Sequence, residues 1–172
     1  HLGQARHPKV KKSILQVLSL LEKQLAGMDD QLGELICADE KLQLAVERMD
    51  SIPGVGKATA TALVIACPEL GTLNRQQIAS LAGLAPYDHQ SGQTNSPRHI
   101  RGGRAGMRSA LYMATLTAIR RNPAIKAFYR HLVQSGKLKM VALTAAMRKL
   151  LIIINSMVRD GKTWTEFMPQ YA

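Results

Sequence analysis

"SIPGVGKATATALVIA" at residues 51–66 is the most specific local pattern in this sequence, and it indicates the fold. Its PGVG turn follows a predicted helix over about 39–49 and precedes an alanine-rich run that favours a second helix. Two helices joined by such a short glycine turn form a helix-hairpin-helix. Gly54 and Gly56 permit the tight turn and let backbone N–H groups approach a phosphate, and Lys57 adds a positive charge. A purely steric glycine turn is the open alternative.

The chain on either side of this turn also predicts helices. Asn74 and Gln77 form a capping-box pattern at the start of one helix, and Asn122-Pro123 ends one helix and begins another. A last helix is predicted from Lys137 to about Val158, with a fully apolar segment at 150–154. Residues 83–103 are predicted to form a long loop or short strands. No stretch predicts a convincing strand, so the predicted fold class is all-α.

A long N-terminal helix is predicted before this domain. Its apolar residues are spaced alternately four and three apart and form a heptad seam of Ile14, Leu18, Leu21, Leu25, Met28, Leu32 and Leu35. We expect a homo-oligomer through this seam, with a helical hairpin or packing on the helix's own domain as alternatives. The predicted organisation is a coiled-coil-like linker and dimerisation segment at 1–38, a helix-hairpin-helix-containing domain at 39–165 and a tail at 166–172.

The charge of the chain is unevenly distributed. Its 23 Lys and Arg against 12 Asp and Glu give a net charge of +11, and residues 89–159 contain no Asp or Glu. Mixed charge keeps a protein soluble with less self-repulsion, so the excess predicts a polyanionic partner, above all nucleic acid. An anionic membrane surface fits less well, because the cations are spread over several elements, and a merely basic surface is the third alternative. No uninterrupted apolar run is long enough to span a bilayer, and we expect no membrane partner.

The carboxylate-free stretch opens with "HQSGQTNSPRHIRGGRAGMR" at residues 89–108. Without carboxylates it cannot hold the Mg²⁺ ions of a two-metal nuclease, and its histidines lack metal-like spacing, so no metal site is predicted in this chain. Arginines hold a phosphodiester and stabilise the charge that develops on it, which suits Ser91, in a turn shaped by Gly92, to attack phosphate. An ordinary loop serine is the alternative. The candidate phosphate ligands are Arg98, Arg101, Arg104 and Arg108.

From about Ser51 to Trp164 the chain resembles the C-terminal domain of the serine-containing, DEDD-type insertion-sequence transposases related to the Piv DNA invertase. The matching segments, in the family's order, are "IPGVGKATATAL", "LAGLAP", the "SG" of Ser91-Gly92, "GGRAGMRSALYMA", "RNPAIKAFYRHL", "GKLKMVAL" and "MRKLLIIINSM". Family members combine this domain with an N-terminal RuvC-like domain, whose acidic DEDD quartet supplies metal ions. The resemblance implies that Ser91 is the nucleophile and forms a phosphoserine link to DNA.

The resemblance also implies where the chain acts and with what. The chain starts at His1 without an initiator Met, and we expect a piece of a longer bacterial DNA transposase or site-specific recombinase that is inactive alone. No cofactor is expected in this chain, and Mg²⁺ is expected in the N-terminal domain. The expected partners are DNA, a second copy of the chain and, as in some family members, a structured guide RNA.

The expected location is the bacterial cytoplasm, at the nucleoid. Cys37 and Cys67 lack CxxC spacing, which favours buried free thiols in a reducing compartment. Two other functions stay open: a non-catalytic helix-hairpin-helix module that binds nucleic acid, and a basic RNA-binding scaffold protein. Covalent capture of DNA distinguishes the transposase from both.

Overall fold

The computed structural model describes residues 7–87, 90–91, 94–95 and 99–168 of the chain. Helices make up most of these residues, which confirms the all-α prediction. The helices are α1 Pro8–Ala38, α2 Glu40–Asp50, α3 Lys57–Ala66, α4 Arg75–Leu81, α5 Ala105–Arg121, α6 Pro123–Gln134, α7 Lys139–Asp160 and α8 Trp164–Phe167.

The chain divides into two compact units, residues 1–43 and 44–172. In the first unit α1 is a single helix of 31 residues, and Gly27 and Gly33 lie within it without ending it. The large apolar side chains of its heptad seam are between 37% and 68% exposed, namely Leu18, Leu21, Leu25, Met28, Leu32 and Leu35. The long helix is as predicted, whereas its association with a second copy stays a prediction.

The second unit is built around α5 and α7. Helix α5 packs against α3, α6 and α7, and α7 packs against α4, α5 and α6. By length and composition, helix α7 is apolar enough to cross a membrane, although it contains no uninterrupted apolar run of that length. Of its most apolar stretch, 61% is buried inside the fold, as expected of a core helix.

Local capping signals place several helix ends where the sequence predicts them. Asn74 and Gln77 form the capping box of α4, and the Asn122 side chain accepts hydrogen bonds from the N–H groups of Ala124 and Ile125 at the start of α6. Helix α8 is an addition to the predicted set. Its signal is the Thr-x-x-Glu capping box that begins at Thr163, and Phe167, which we assigned to the tail, is buried.

The segment between α4 and α5 contains two short antiparallel strand pairs. Strand β1, Pro86–Tyr87, pairs with β4, His99–Ile100. Strand β2, Gln90–Ser91, pairs with β3, Thr94–Asn95, and this pair is nested in sequence within the first. Short strands were one of the two alternatives predicted for this segment, and strands of two residues leave the fold class unchanged.

Candidate nucleic-acid interface

The two glycines in the turn between α2 and α3 have different roles. Gly54 has φ 99°, and a Cβ atom there would lie 2.6 Å from the Cα atom of Ala118, so Gly54 packs against the backbone of α5. Gly56 has φ −94°, is exposed, and among the described residues has open space where a Cβ atom would stand. Packing therefore requires Gly54, whereas Gly56 keeps the start of α3 open.

The start of α3 has the features of an anion-binding helix end. Gly56 is its N-cap residue and provides no side chain to bond the first N–H groups. Within the described residues, the first turn of α3 contains no acidic side chain, and Lys57 is exposed at its first position. The free backbone N–H groups, the positive end of the helix dipole and the Lys57 ammonium group thus all lie at the start of α3.

A cavity of about 370 Å³ lies between this turn and α5. It is lined by Gly54, Val55, Gly56 and Thr59 on one side and by Met113, Ala114, Thr117 and Arg121 on the other. Arg121 lies beside the turn and is a cation that was not predicted from the sequence as a site residue. The available signal was the Arg120-Arg121 pair at the end of a predicted helix, but the packing of α5 against the turn is a tertiary feature.

Arg104 lies at the opposite end of α5, as its N-cap residue. Its Nη1 and Nη2 atoms donate to the two carboxylate oxygens of Glu69, each at 2.7 Å, and Nη1 also donates to the carbonyl of Ala66 at 3.0 Å. The side chains of Arg104 and Glu69 are 39% and 40% exposed. The carboxylate that balances Arg104 therefore comes from the α3–α4 connection, outside the carboxylate-free stretch.

Arg108 lies one turn further along α5 and bonds the backbone on both sides of the strand pairs. Its Nη1 atom donates to the carbonyl of Gly102 at 2.6 Å and to that of Ala82 at 3.4 Å. Gly83 and Gly103 have φ 67° and 73°, and a Cβ atom on either would overlap the backbone of the opposite segment. We call residues 81–84 and 102–104 together the loop base. Residues 85–101, between these two segments, are called the Ser91 loop.

Ser91 lies in β2, and its backbone pairs with Thr94. This pair is enclosed in sequence by β1 and β4, and β4 ends two residues before Gly102. The chain between the two sides of the loop base therefore contains the nested strand pairs and Ser91. Gly92 and Arg98 lie outside the described residues, and Arg101 is exposed.

The predicted site residues form two separate groups. Arg104 and Arg108 lie at the loop base, whereas Gly54, Gly56 and Lys57 lie near the Ala118 end of α5. At a rise of 1.5 Å per residue, α5 separates the two groups by about 20 Å along its axis. This separation is not visible in the sequence, because it depends on how the turn packs on α5.

The ion pair of Glu69 and Arg104 predicts how stability changes in acid. The hydrogen bond from Arg104 lowers the pKa of Glu69 from 4.5 to about 2. Because the folded pKa is the lower one, the stabilisation is complete above pH 4.5 and is lost as the pH falls towards 2. Chemical denaturation of wild type and Glu69→Gln across this range measures it. Their difference in unfolding free energy should be constant above pH 4.5 and shrink below it; a difference independent of pH would contradict the pairing.

The cysteines and the possible metal ligands add little to this surface. Both cysteines are free, as predicted; Cys67 is buried, but Cys37 is exposed, contrary to our expectation that both are buried. Burial raises the pKa of the Cys67 thiol to about 11, so it is protonated at neutral pH.

Within the described residues, no three His, Cys, Asp or Glu side chains are grouped to hold a metal ion. These residues do not fit a Mg²⁺ site.

Residues 46–130, which include both groups and Ser91, match the model of the Transposase IS116/IS110/IS902 family. This part of the chain is an IS110/IS116-family transposase domain. The family resemblance deduced from the sequence is thereby confirmed at the level of the transposase domain. The DEDD quartet and the catalytic serine stay predictions.

Individual relatives support the same family. The chain is 34% identical over 142 residues to the pilin gene-inverting proteins of Moraxella bovis and Moraxella lacunata, and each alignment covers 80% of this chain and 44% of the relative. It is 28% identical over 160 residues to the insertion element IS110 43.6 kDa protein of Streptomyces coelicolor, covering 91% of this chain and 38% of that protein. The chain thus spans less than half the length of these relatives.

Proposed function

We propose that this chain is the DNA-binding and nucleophile-bearing part of a DNA transposase or site-specific recombinase. The observation that carries the proposal is the position of Ser91 inside the transposase domain, in the chain between the two sides of the loop base, at which Arg104 and Arg108 lie. The names of the relatives, a gene-inverting protein and an insertion-element protein, support DNA as the substrate.

The proposed reaction is an exchange of one phosphate ester for another. The Ser91 hydroxyl loses its proton to solvent, and its oxygen forms a bond to the phosphorus of a DNA phosphodiester. The bond from phosphorus to the leaving deoxyribose oxygen breaks, and that oxygen keeps the electron pair and takes up a proton. The exchange needs no oxidant or reductant. We propose that it requires the rest of the protein, where Mg²⁺ is expected, and that this chain alone does not cleave DNA.

The start of α3 is proposed as a second contact with the DNA backbone. The positive helix end, Lys57 and the Arg121 guanidinium in the neighbouring cavity suit a phosphate, and such contacts do not read sequence. The distance of about 20 Å along α5 to the loop base corresponds to about six base pairs at 3.4 Å each. One duplex is therefore long enough to reach both the start of α3 and the loop that contains Ser91.

The exposed heptad seam of α1 supports a second copy of the chain as a partner. Six large apolar side chains of this seam are partly exposed to water, and pairing two such seams buries them. We propose a homo-oligomer formed through α1. A structured guide RNA stays a proposal that rests on the family resemblance alone.

Removal of the Lys57 charge tests the helix-hairpin-helix. We expect Lys57→Ala to weaken the binding of unrelated duplexes to the same degree and to reduce the slope of log affinity against log salt by about 1. Fluorescence anisotropy over a salt series measures both quantities. The matched control is Lys41→Ala, an exposed lysine in the first turn of α2, which should leave both unchanged. Unchanged binding by a folded Lys57→Ala variant would identify the hairpin as a structural turn.

Covalent capture tests the nucleophile. Full-length protein is incubated with labelled DNA, denatured, digested with trypsin and analysed by mass spectrometry. Trypsin cuts after Arg75 and Arg98, so the modified peptide should comprise residues 76–98 and carry its nucleotide on Ser91. DNA binding without any covalent product would favour the non-catalytic nucleic-acid-binding module, and preference for structured RNA over DNA would favour the RNA-binding scaffold.

A further inference from the structure

We infer that Arg104 and Arg108 position the loop that contains Ser91, with Glu69 as the partner of Arg104, and that Arg104 is not a phosphate ligand. This inference rests on the proposed function, because positioning matters only if Ser91 reacts. It revises the roles that residue type and sequence position predict for the two arginines.

The guanidinium of Arg104 is already engaged. Its two terminal nitrogen atoms donate to both oxygens of Glu69 at 2.7 Å, which is the bidentate geometry of the strongest Arg–carboxylate pairs. The pair has no net charge, so it attracts phosphate far less than a free arginine does. A DNA phosphate would have to displace a carboxylate whose pKa, at about 2, leaves it ionised at any physiological pH.

The contacts of the two arginines connect the chain on both sides of the Ser91 loop. Arg104 joins the start of α5 to the α3–α4 connection through its side chain and to the end of α4 through its N–H group, which donates to the carbonyl of Leu81 at 2.8 Å. Arg108 donates to Ala82 on the entering segment and to Gly102 on the leaving segment. The arginines thus bond both segments at the points where the loop begins and ends.

Because Ser91 lies in the chain between the two sides of the loop base, we expect a displacement of the base to shift Ser91 as well. Pro86 pairs with Ile100 only a few residues from the base, and the pair that contains Ser91 follows within the same loop. A nucleophile displaced by about 1 Å can react about 10²-fold more slowly, even when the substrate binds normally. Loss of either arginine should therefore slow the reaction more than it weakens DNA binding.

The salt dependence of DNA binding by the full-length protein separates positioning from phosphate contact. A phosphate ligand replaced by alanine lowers the slope of log affinity against log salt by about 1, whereas a positioning residue leaves the slope unchanged. We expect Arg104→Ala to keep the wild-type slope. Arg101→Ala, an exposed arginine of the same segment, is the comparison for a proposed phosphate ligand. A slope reduced by about 1 in Arg104→Ala would overturn the inference.

Glu69→Gln keeps the size of the side chain and removes its charge. If Arg104 were a phosphate ligand restrained by Glu69, this variant would bind DNA more tightly. If Glu69 and Arg104 instead position the loop, we expect Glu69→Gln to leave the half-saturating DNA concentration unchanged. The rate of covalent capture at saturating DNA should fall by about 10²-fold. Tighter binding, or an unchanged capture rate beside an active wild type, would refute the inference. A wild type without any covalent product would instead refute the proposed function, while the salt slopes still test the arginines.

Discussion

Replacement of Ser91 by alanine in the full-length protein is expected to abolish the covalent protein–DNA product. The substitution removes the oxygen atom that forms the bond to phosphorus, so the rate should fall by at least about 10³-fold. It removes one hydroxyl from a short strand pair whose backbone bonds do not depend on it, so the melting temperature and the DNA affinity should stay close to wild type. Denaturing electrophoresis with labelled DNA measures the product, and anisotropy measures the affinity.

The neighbouring serines provide the matched controls for this experiment. Ser80 and Ser96 lie in the same tryptic segment as Ser91, and alanine at either should leave the product unchanged. Ser91→Cys retains a nucleophilic side chain and should keep a trace of activity. Wild-type product formation by Ser91→Ala would show that Ser91 is an ordinary loop serine.

Gly103→Ala is expected to cause a large loss of stability. Gly103 has φ 73°, which an alanine adopts at a cost of about 1 kcal/mol, and its Cβ atom would overlap the backbone of Gly83. Backbone cannot yield as the end of a side chain does, so we expect the unfolding free energy to fall by about 3 kcal/mol or more. Urea denaturation followed by circular dichroism measures the change.

Two neighbouring glycines separate the causes of this loss. Gly102 has φ 71° but, among the described residues, open space around the added Cβ atom, so Gly102→Ala should cost only about 1 kcal/mol. Gly106 lies in the first turn of α5 with similar open space among the described residues, and Gly106→Ala should be neutral or stabilise by up to about 1 kcal/mol. Equal effects at Gly102 and Gly103 would show that close packing against Gly83 contributes nothing.

The sequence by itself determined the features that depend on neighbours within a few residues. The capping box of Asn74 and Gln77 and the cap at Asn122 were predicted correctly, because each is a hydrogen bond between a side chain and a backbone group two or three residues away. The long helix α1 and the helical fold class follow from apolar spacing in the same way. The family resemblance also came from the sequence, because the order of several short segments is specific even where each segment alone is not.

Only the tertiary structure decided which residues near the predicted site are already engaged. Glu69 lies 35 residues from Arg104, and no local pattern indicates that they pair. Positive φ and backbone contact distinguish Gly54 and Gly103 from Gly56 and Gly106, yet all four are the same letter in the sequence. The physical reason is that a cap or a heptad is specified by bonds and spacings along one segment. An ion pair or a close backbone contact instead depends on where the other packed helices bring distant residues.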